Sequence, residues 1–500
     1  MKQVGILMPV AAMPNVYGVG DFGDASYHFI DLIANAGFDL WQILPLNPLG
    51  FGNSPYQPYS SFAGDEIYLN LEQLVVQGLL SKEQLMSTEV KEYIATVKES
   101  KHIDYESVRK FKGKLLQLAY KNFVKNEDYE LFASQEWVSI YAVFIALKKQ
   151  NGLKCWNEWP KEQREWIHDK AYDLTPLTWQ IEYEKFVQYE FMKQWKALRA
   201  YANQKKIQIM GDLPFYVGID SLDVWQNQEE FLLGADGKPS FVAGVPPDYF
   251  SATGQRWGNP IYDWEKMQKN QYRFWKHRLS YCSELFDITR IDHFRAFDTY
   301  WKIPSTCETA VEGEWVEAPG KEFFEQLLKE YPHLNIVIED LGELREEVHE
   351  LRDMFGFKGM KVLQFTFNPM EEKNQLEDRE NLIVYTGTHD NQTLRGWYEA
   401  QTEEWQEAAK ELLIERGYED KKMSKCFIEM ALDSIADIVI IPYQDFVDMG
   451  EEGRINTPGT LGSPNWEFKV KDFSTFEDEL PNIKALFQRK KLEKKKKVEE

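Results

Sequence analysis

Cysteine is scarce, with four in 500 residues: Cys155, Cys282, Cys307 and Cys426. Their wide scatter, with no CxxC pair and no Cys/His ligand spacing, excludes a disulfide framework and a zinc motif. It fits free thiols in a reducing cytosol. Long hydrophobic runs are missing as well. No stretch approaches the roughly 18 apolar residues of a membrane span, and the apolar start Gly5-Ile6-Leu7-Met8 is broken by Pro9, a poor signal peptide. The chain is therefore expected to be cytoplasmic and without membrane contact. Basic charge is outnumbered, 58 Lys+Arg against 81 Asp+Glu, a net −23. Such a surface repels phosphate backbones, which argues against nucleic acid as a partner. There is no Walker loop, HExxH or GxSxG, and the eight His are too dispersed for a metal site. No cofactor and no metal are expected.

Aromatic residues are plentiful: 16 Trp, 25 Tyr and 31 Phe make 14% of the chain. Their flat faces suit a core, and equally the apolar C–H faces of sugar rings. With 43% hydrophobic and 28% charged residues the chain has ample core. At roughly 150 residues per domain, its length allows about three domains or one large barrel with insertions.

Eight short apolar runs bounded by turn signals stand at 4–10, 39–46, 207–215, 287–294, 335–341, 360–367, 382–389 and 437–443. Several are near-continuous Val/Ile/Leu, as in a parallel sheet covered by helices. Helical patterns lie between many of them, for example at 25–36 and 271–285. The expected fold is α/β, a (β/α)8 TIM barrel; ~250 residues is typical of it, so the surplus sits in insertions. Residues 1–500 are read as one catalytic barrel domain. An insertion at 47–206, between the second and third strands, is read as a largely helical subdomain. Residues 216–286 read as loop-like and carry an active-site loop at 244–260. The Lys-rich terminus reads as the solvated end of a helix.

Barrel enzymes place catalytic groups at the C-terminal ends of strands. The third run ends in Asp212-Leu213-Pro214, the fourth in Arg290-Ile291-Asp292-His293, the fifth in Glu339-Asp340-Leu341 and the seventh in His389-Asp390-Asn391. Side chains alternate with period two, so Arg290 and Asp292 share a face. If that face is the barrel mouth, the cation holds Asp292 ionised and lowers its pKa, as a nucleophile requires. The same parity favours Glu339 for the mouth and turns Asp340 toward neighbouring backbone or a helix. A carboxyl in an aromatic-rich pocket stays protonated and serves as a general acid. Two carboxyls in divergent environments are the machinery of glycoside chemistry, about 5–5.5 Å apart in retaining enzymes. Asp390 is a third carboxylate suited to gripping sugar hydroxyls, with His389 and Asp212 as further clamps. Any one strand-end Asp can instead cap the next helix, and Arg290–Asp292 can be a structural ion pair. Four ionisable ends on one barrel are much harder to explain as capping.

Gly18-Val19-Gly20-Asp21-Phe22-Gly23 matches a dinucleotide fingerprint, but it begins well past the first run and no acidic residue ends the second. A Gly-permitted turn into the next helix is the better reading.

The ordered motifs Asp212-Leu213-Pro214, Arg290-Ile291-Asp292-His293-Phe294-Arg295, Ile338-Glu339-Asp340-Leu341-Gly342 and Thr388-His389-Asp390-Asn391 resemble the four signature regions of the α-amylase clan. The variants are those of the 4-α-glucanotransferases (amylomaltases, or disproportionating enzymes). Support spans nearly the whole chain: Tyr17–Gly23, Ser54-Pro55-Tyr56-Gln57-Pro58-Tyr59-Ser60, residues 244–260, Asn456-Thr457-Pro458-Gly459-Thr460 and Pro464-Asn465-Trp466. The resemblance implies Asp292 as the nucleophile of a covalent glucosyl-enzyme, Glu339 as acid/base and Asp390 as transition-state stabiliser. It implies Arg290, His389 and Asp212 around the sugar beside the scissile bond, and Ser54, Tyr56, Trp257, Asn465 and His293 as substrate contacts. The stretch 248–257 resembles a mobile covering loop, with Asp248 at its start and Tyr249, Phe250 and Trp257 stacking on glucosyl units. Few residues follow the eighth run, consistent with a family that lacks the β-sandwich found after the barrel in amylases. The implied substrates are maltooligosaccharides and α-1,4-glucans, the implied reaction retaining transfer. The alternatives are an α-amylase-like hydrolase on the same barrel and a non-catalytic glucan-binding barrel.

Overall fold

The computed structural model describes residues 2–247, 251–371, 379–419 and 422–499. Eight parallel strands form one sheet: Gln3–Leu7, Leu40–Gln42, Gln208–Leu213, Ile288–Ile291, Ile336–Ile338, Gly359–Val362, Leu382–Tyr385 and Ile438–Pro442. The first strand pairs with the second and the eighth, and the sheet runs from there to the fifth on one side and the sixth on the other. Those two outer strands meet through the bridge Val337–Lys358, where the Ile338 N–H donates to the Lys358 carbonyl at 3.0 Å. The result is a nearly closed (β/α)8 barrel, as expected.

Every strand lies within one of the eight apolar runs, give or take a residue, but most are shorter. The second stops at Gln42, ahead of Pro45, which has no N–H for a ladder. The sixth run turns helical after Val362, as Leu363–Thr366. Ile438–Pro442 is buried throughout, the signature of a strand covered on both faces. Inside the barrel, polar contacts cross the core: the Tyr385 hydroxyl donates to Gln42 Oε1 at 2.8 Å, and Arg290 Nε lies 3.3 Å from Met360 Sδ.

Helix Asp24–Ala36 follows the first strand, and helix Arg273–Leu285 precedes the fourth. The latter starts later than the pattern predicts, because Gln271 and Tyr272 adopt positive φ of 62° and 56°. Its Arg278 is buried and donates to the carbonyls of Pro214 (2.6 Å) and Phe215 (3.1 Å), fixing the turn after the third strand. Between the second and third strands the longest helices are Tyr105–Asn122, Glu136–Gln150 and Thr178–Gln204. No single described helix is long and apolar enough to cross a membrane; one pair bent by 74°, Glu127–Ala133 with Glu136–Gln150, passes that test together. The second of these is a core helix, buried from Tyr141 to Lys148.

Residues 216–286 are not loop-like throughout. They carry strands Phe241–Val245 and Gln255–Pro260, antiparallel to each other. With Thr299–Pro304 and Glu314–Glu317 these make a separate four-stranded sheet. Gly and Pro hide the alternation that would announce it. Gly244 is there because a Cβ would run into the Gln255 carbonyl across the ladder. The glycines near the start have a similar reason: a Cβ on Gly20 would collide with the Val10 carbonyl and Met13. The chain ends in helix Ser474–Glu499, and all four cysteines are free thiols.

Candidate active site

Register brings the ionisable ends of the third, fourth and fifth strands together. Asp212 pairs with Arg290 across the third and fourth strands, and Ile291 pairs with Ile338 across the fourth and fifth. The next residues up, Asp292 and Glu339, therefore leave the barrel side by side. Their backbones extend the ladders: the Asp292 N–H donates to the Leu213 carbonyl and the Glu339 N–H to the Ile291 carbonyl, at 3.0 and 2.9 Å.

Arg290 is the hub. Its Nη1 donates to both carboxylate oxygens of Asp212 at 2.7 Å and to Asp292 Oδ1 at 3.1 Å. The guanidinium and Asp212 are buried, whereas Asp292 keeps 29% of its side chain open to the cleft. Burying a charge is costly unless it is paired and hydrogen-bonded, and here one cation meets two acids. The expected lowering of Asp292 is outweighed. Burial pushes its carboxyl well up from the usual range, Arg290 acts against this, and Glu339, Asp212 and Asp390 add to the rise. Burial also raises Glu339, opposed by Arg290 and by the His293 N–H, which donates to its Oε2 at 2.6 Å. Asp340 faces away, as parity predicts: it accepts from the Met360 N–H at 2.6 Å and from Arg352 Nη1 at 2.8 Å.

The Tyr56 hydroxyl donates to Asp212 Oδ2 at 2.7 Å and lies 3.2 Å from His389 Nδ1, with the two rings stacked at 4.8 Å. Burial pushes His389 down, so it is neutral near pH 7; its Nε2 stands 3.5 Å from Asp390 Oδ1. Burial takes His293 down to about 3, and its ring meets Trp257 edge to face at 4.9 Å. Trp257 is half-buried on strand Gln255–Pro260. The structure thus gathers Asp212, Arg290, Asp292, Glu339, Tyr56, His389 and Asp390, with His293 joined to Glu339 through its backbone N–H and Trp257 packed on the His293 ring.

Other expected contacts sit differently. Ser54 accepts from the Tyr56 N–H at 3.2 Å and so shapes that turn. Asn465 spends its amide on its own loop, accepting from the Thr457 N–H and donating to Thr460 Oγ1, both at 2.9 Å. Its neighbour Trp466 reaches the cluster instead, 5.6 Å from the Tyr56 ring and 5.8 Å from His389. Asp248, Tyr249 and Phe250 lie outside the described residues. Asn456, which is not among the expected site residues, donates from its Nδ2 to Asp390 Oδ1 at 2.7 Å. It sits in irregular chain, where no periodicity points to a face; only its place in the Asn456–Thr460 motif marked it. Among the described residues no three His, Cys, Asp or Glu are grouped as metal ligands.

This arrangement supplies a buried cation that organises two acids, a half-open carboxyl for attack, a second carboxyl for proton transfer and a polar cage able to clamp a sugar. Compared with known proteins, residues 8–475 match the family model described as 4-alpha-glucanotransferase. The 4-alpha-glucanotransferase of Aquifex aeolicus is 41% identical over 478 residues, 94% of this chain and 96% of that one. That of Clostridium butyricum is 39% identical, over 95% of this chain and 97% of its own. The amylomaltase from Streptococcus agalactiae in complex with acarbose superposes with a TM-score of 0.92 at 32% identity, covering 98% of this chain and 99% of that one.

Proposed function

This chain belongs to the 4-α-glucanotransferase family and transfers α-1,4-glucan segments between chains; on that premise we propose that Asp292 is its nucleophile, Glu339 its acid/base and Asp390 its transition-state stabiliser. The observation that carries the reading is the Arg290 hub, which sets Asp292 level with Glu339 at the mouth of the barrel.

Glu339 protonates the oxygen of the departing glucan while Asp292 takes the anomeric carbon. The 4-hydroxyl of an acceptor, deprotonated by the same Glu339, then attacks the glucosyl-enzyme, and two inversions give net retention. Arg290 turns Asp292 toward the sugar and keeps an ionised fraction of it available despite burial. Tyr56, Asp212 and His389 clamp hydroxyls of the sugar beside the scissile bond, and neutral His389 does so without bringing a charge. Asp390 grips hydroxyls as the ring takes on oxocarbenium character. Trp257 packs on the ring of His293, whose backbone N–H holds Glu339, and the pair covers the acceptor side, which keeps water from the intermediate. Ser54 and Asn465 act one step back, shaping the loops that present Tyr56 and Trp466. Maltooligosaccharides and α-1,4-glucans are the substrates, in the cytoplasm. Residues 47–206 and 216–286 are insertions of one catalytic barrel.

The test is product analysis. With maltotriose the purified protein yields glucose and longer chains without a matching rise in total reducing ends; such a rise would make it a hydrolase. Asp292→Asn abolishes turnover, and full turnover by that variant would refute the assignment.

A further inference from the structure

The chain after the eighth strand wraps the turn that carries His389 and Asp390. Thr386 and Leu394 mark the two ends of this turn, and both are held by one side chain. Asp445, 2% exposed, accepts from the Thr386 hydroxyl at 2.7 Å through Oδ2 and from the Leu394 N–H at 2.8 Å through Oδ1. Farther along the same segment the Gly450 carbonyl accepts from the Thr393 hydroxyl at 3.1 Å. At the tip, the Asn456 N–H donates to the His389 carbonyl at 3.2 Å, and Asn456 Nδ2 to the Asp390 carboxylate at 2.7 Å. Arg454 ties Asn456 down through that residue's carbonyl at 2.9 Å.

We propose that Asp445 and Asn456 are positioning residues for Asp390: the first closes the base of its turn, the second aims its carboxylate. Neither is placed to touch a reacting atom. Asn456 leaves Asp390 one free oxygen edge for sugar hydroxyls and fixes which way that edge points. Asp445 removes the slack that would let the edge swing. The inference rests on the role given to Asp390 in the preceding subsection.

A structural residue would change stability and leave the kinetic balance alone; a positioning residue changes kcat at nearly constant KM. Asn456→Ala is expected to lower kcat on maltotriose by about tenfold or more, with KM within about threefold. Asn456→Asp, which sets a second carboxylate against Asp390, is expected to lower it further. Asp445→Ala is expected to lower kcat, and Asp445→Asn to restore most of it. The amide oxygen still accepts from Leu394, and Thr386 can turn to accept from the new NH2. Wild-type kcat in both Asn456 variants would overturn the proposal, as would losses that follow thermal stability in all four proteins. Should Asp445→Ala fail to fold, the Asn456 pair decides alone. Absence of transfer by the unaltered protein would instead overturn the functional reading, so the two failures are distinguishable.

Discussion

One guanidinium serves two carboxylates in this site, and the sharing has consequences at the scale of single residues. Asp212 holds Arg290 at 2.7 Å and Asp292 holds it at 3.1 Å. Replacing Asp212 by Asn removes a negative charge that raises Asp292 and leaves Arg290 to it alone. Asp292 then titrates lower, and the acid limb of kcat/KM moves to lower pH; a limb that stayed in place would show Arg290 acting on orientation alone. Glu339 offers a second check. Glu339→Gln loses about 10²–10⁴-fold in kcat/KM for maltotriose, but far less in kcat/KM for α-maltosyl fluoride, whose leaving group needs little protonation. Equal loss on both substrates would remove proton transfer from its role. Asp445 gives a third, in stability. Burial pushes its carboxyl up to about 7, whereas an unfolded Asp titrates near 3.9. Across that interval the folded form binds more protons, so stability falls as pH rises from about 4 to about 7 and levels off above. The loss is on the order of 4 kcal/mol over the whole interval and is absent from Asp445→Asn; denaturant unfolding of both proteins at pH 5 and pH 7.5 captures about 2.5 kcal/mol of it.

At the scale of elements, period-two alternation made much of the site legible. It puts Arg290 beside Asp292, Glu339 in the mouth and Asp340 outside, because each lies on a regular strand or within two steps of its end. The barrel was legible for the same reason: its strands are continuous apolar runs. The antiparallel sheet was not. Its strands Phe241–Val245 and Gln255–Pro260 are broken by Gly244, which a close ladder demands, by Gly258 at a φ of 81°, and by prolines at or beside their ends. Asn456, Trp466 and Asp445 stand in irregular or short helical chain, and their roles come from long-range contacts that no local pattern encodes. Trp257 belongs to this less legible sheet, and it packs edge to face on the ring of His293, the residue whose backbone N–H holds Glu339. Trp257→Ala is expected to lower the ratio of transfer to hydrolysis by about tenfold, since water then reaches the intermediate. A ratio unchanged on maltotriose would remove Trp257 from the acceptor side.

At the scale of the whole molecule, seven of the eight strand junctions are ladders, and the eighth, between the fifth and sixth strands, is a lone bridge. Side chains reinforce it: Asp340 spans from the fifth strand to the Met360 N–H and to Arg352 on helix Glu346–Met354. Asp340→Ala is expected to cost about 3 kcal/mol by orphaning a buried amide and loosening a buried guanidinium, read as a fall in Tm. The join also sits on the strand that bears Glu339, while Asp292 stands on a strand laddered on both sides. The cylinder is therefore tied on both sides behind Asp292 and on one side only by a single bridge behind Glu339. Amide hydrogens of Gly359–Val362 that face the join should trade with deuterium sooner than those of the third and fourth strands. A glucan pressing into the mouth would be accommodated by a slight parting of this one stave.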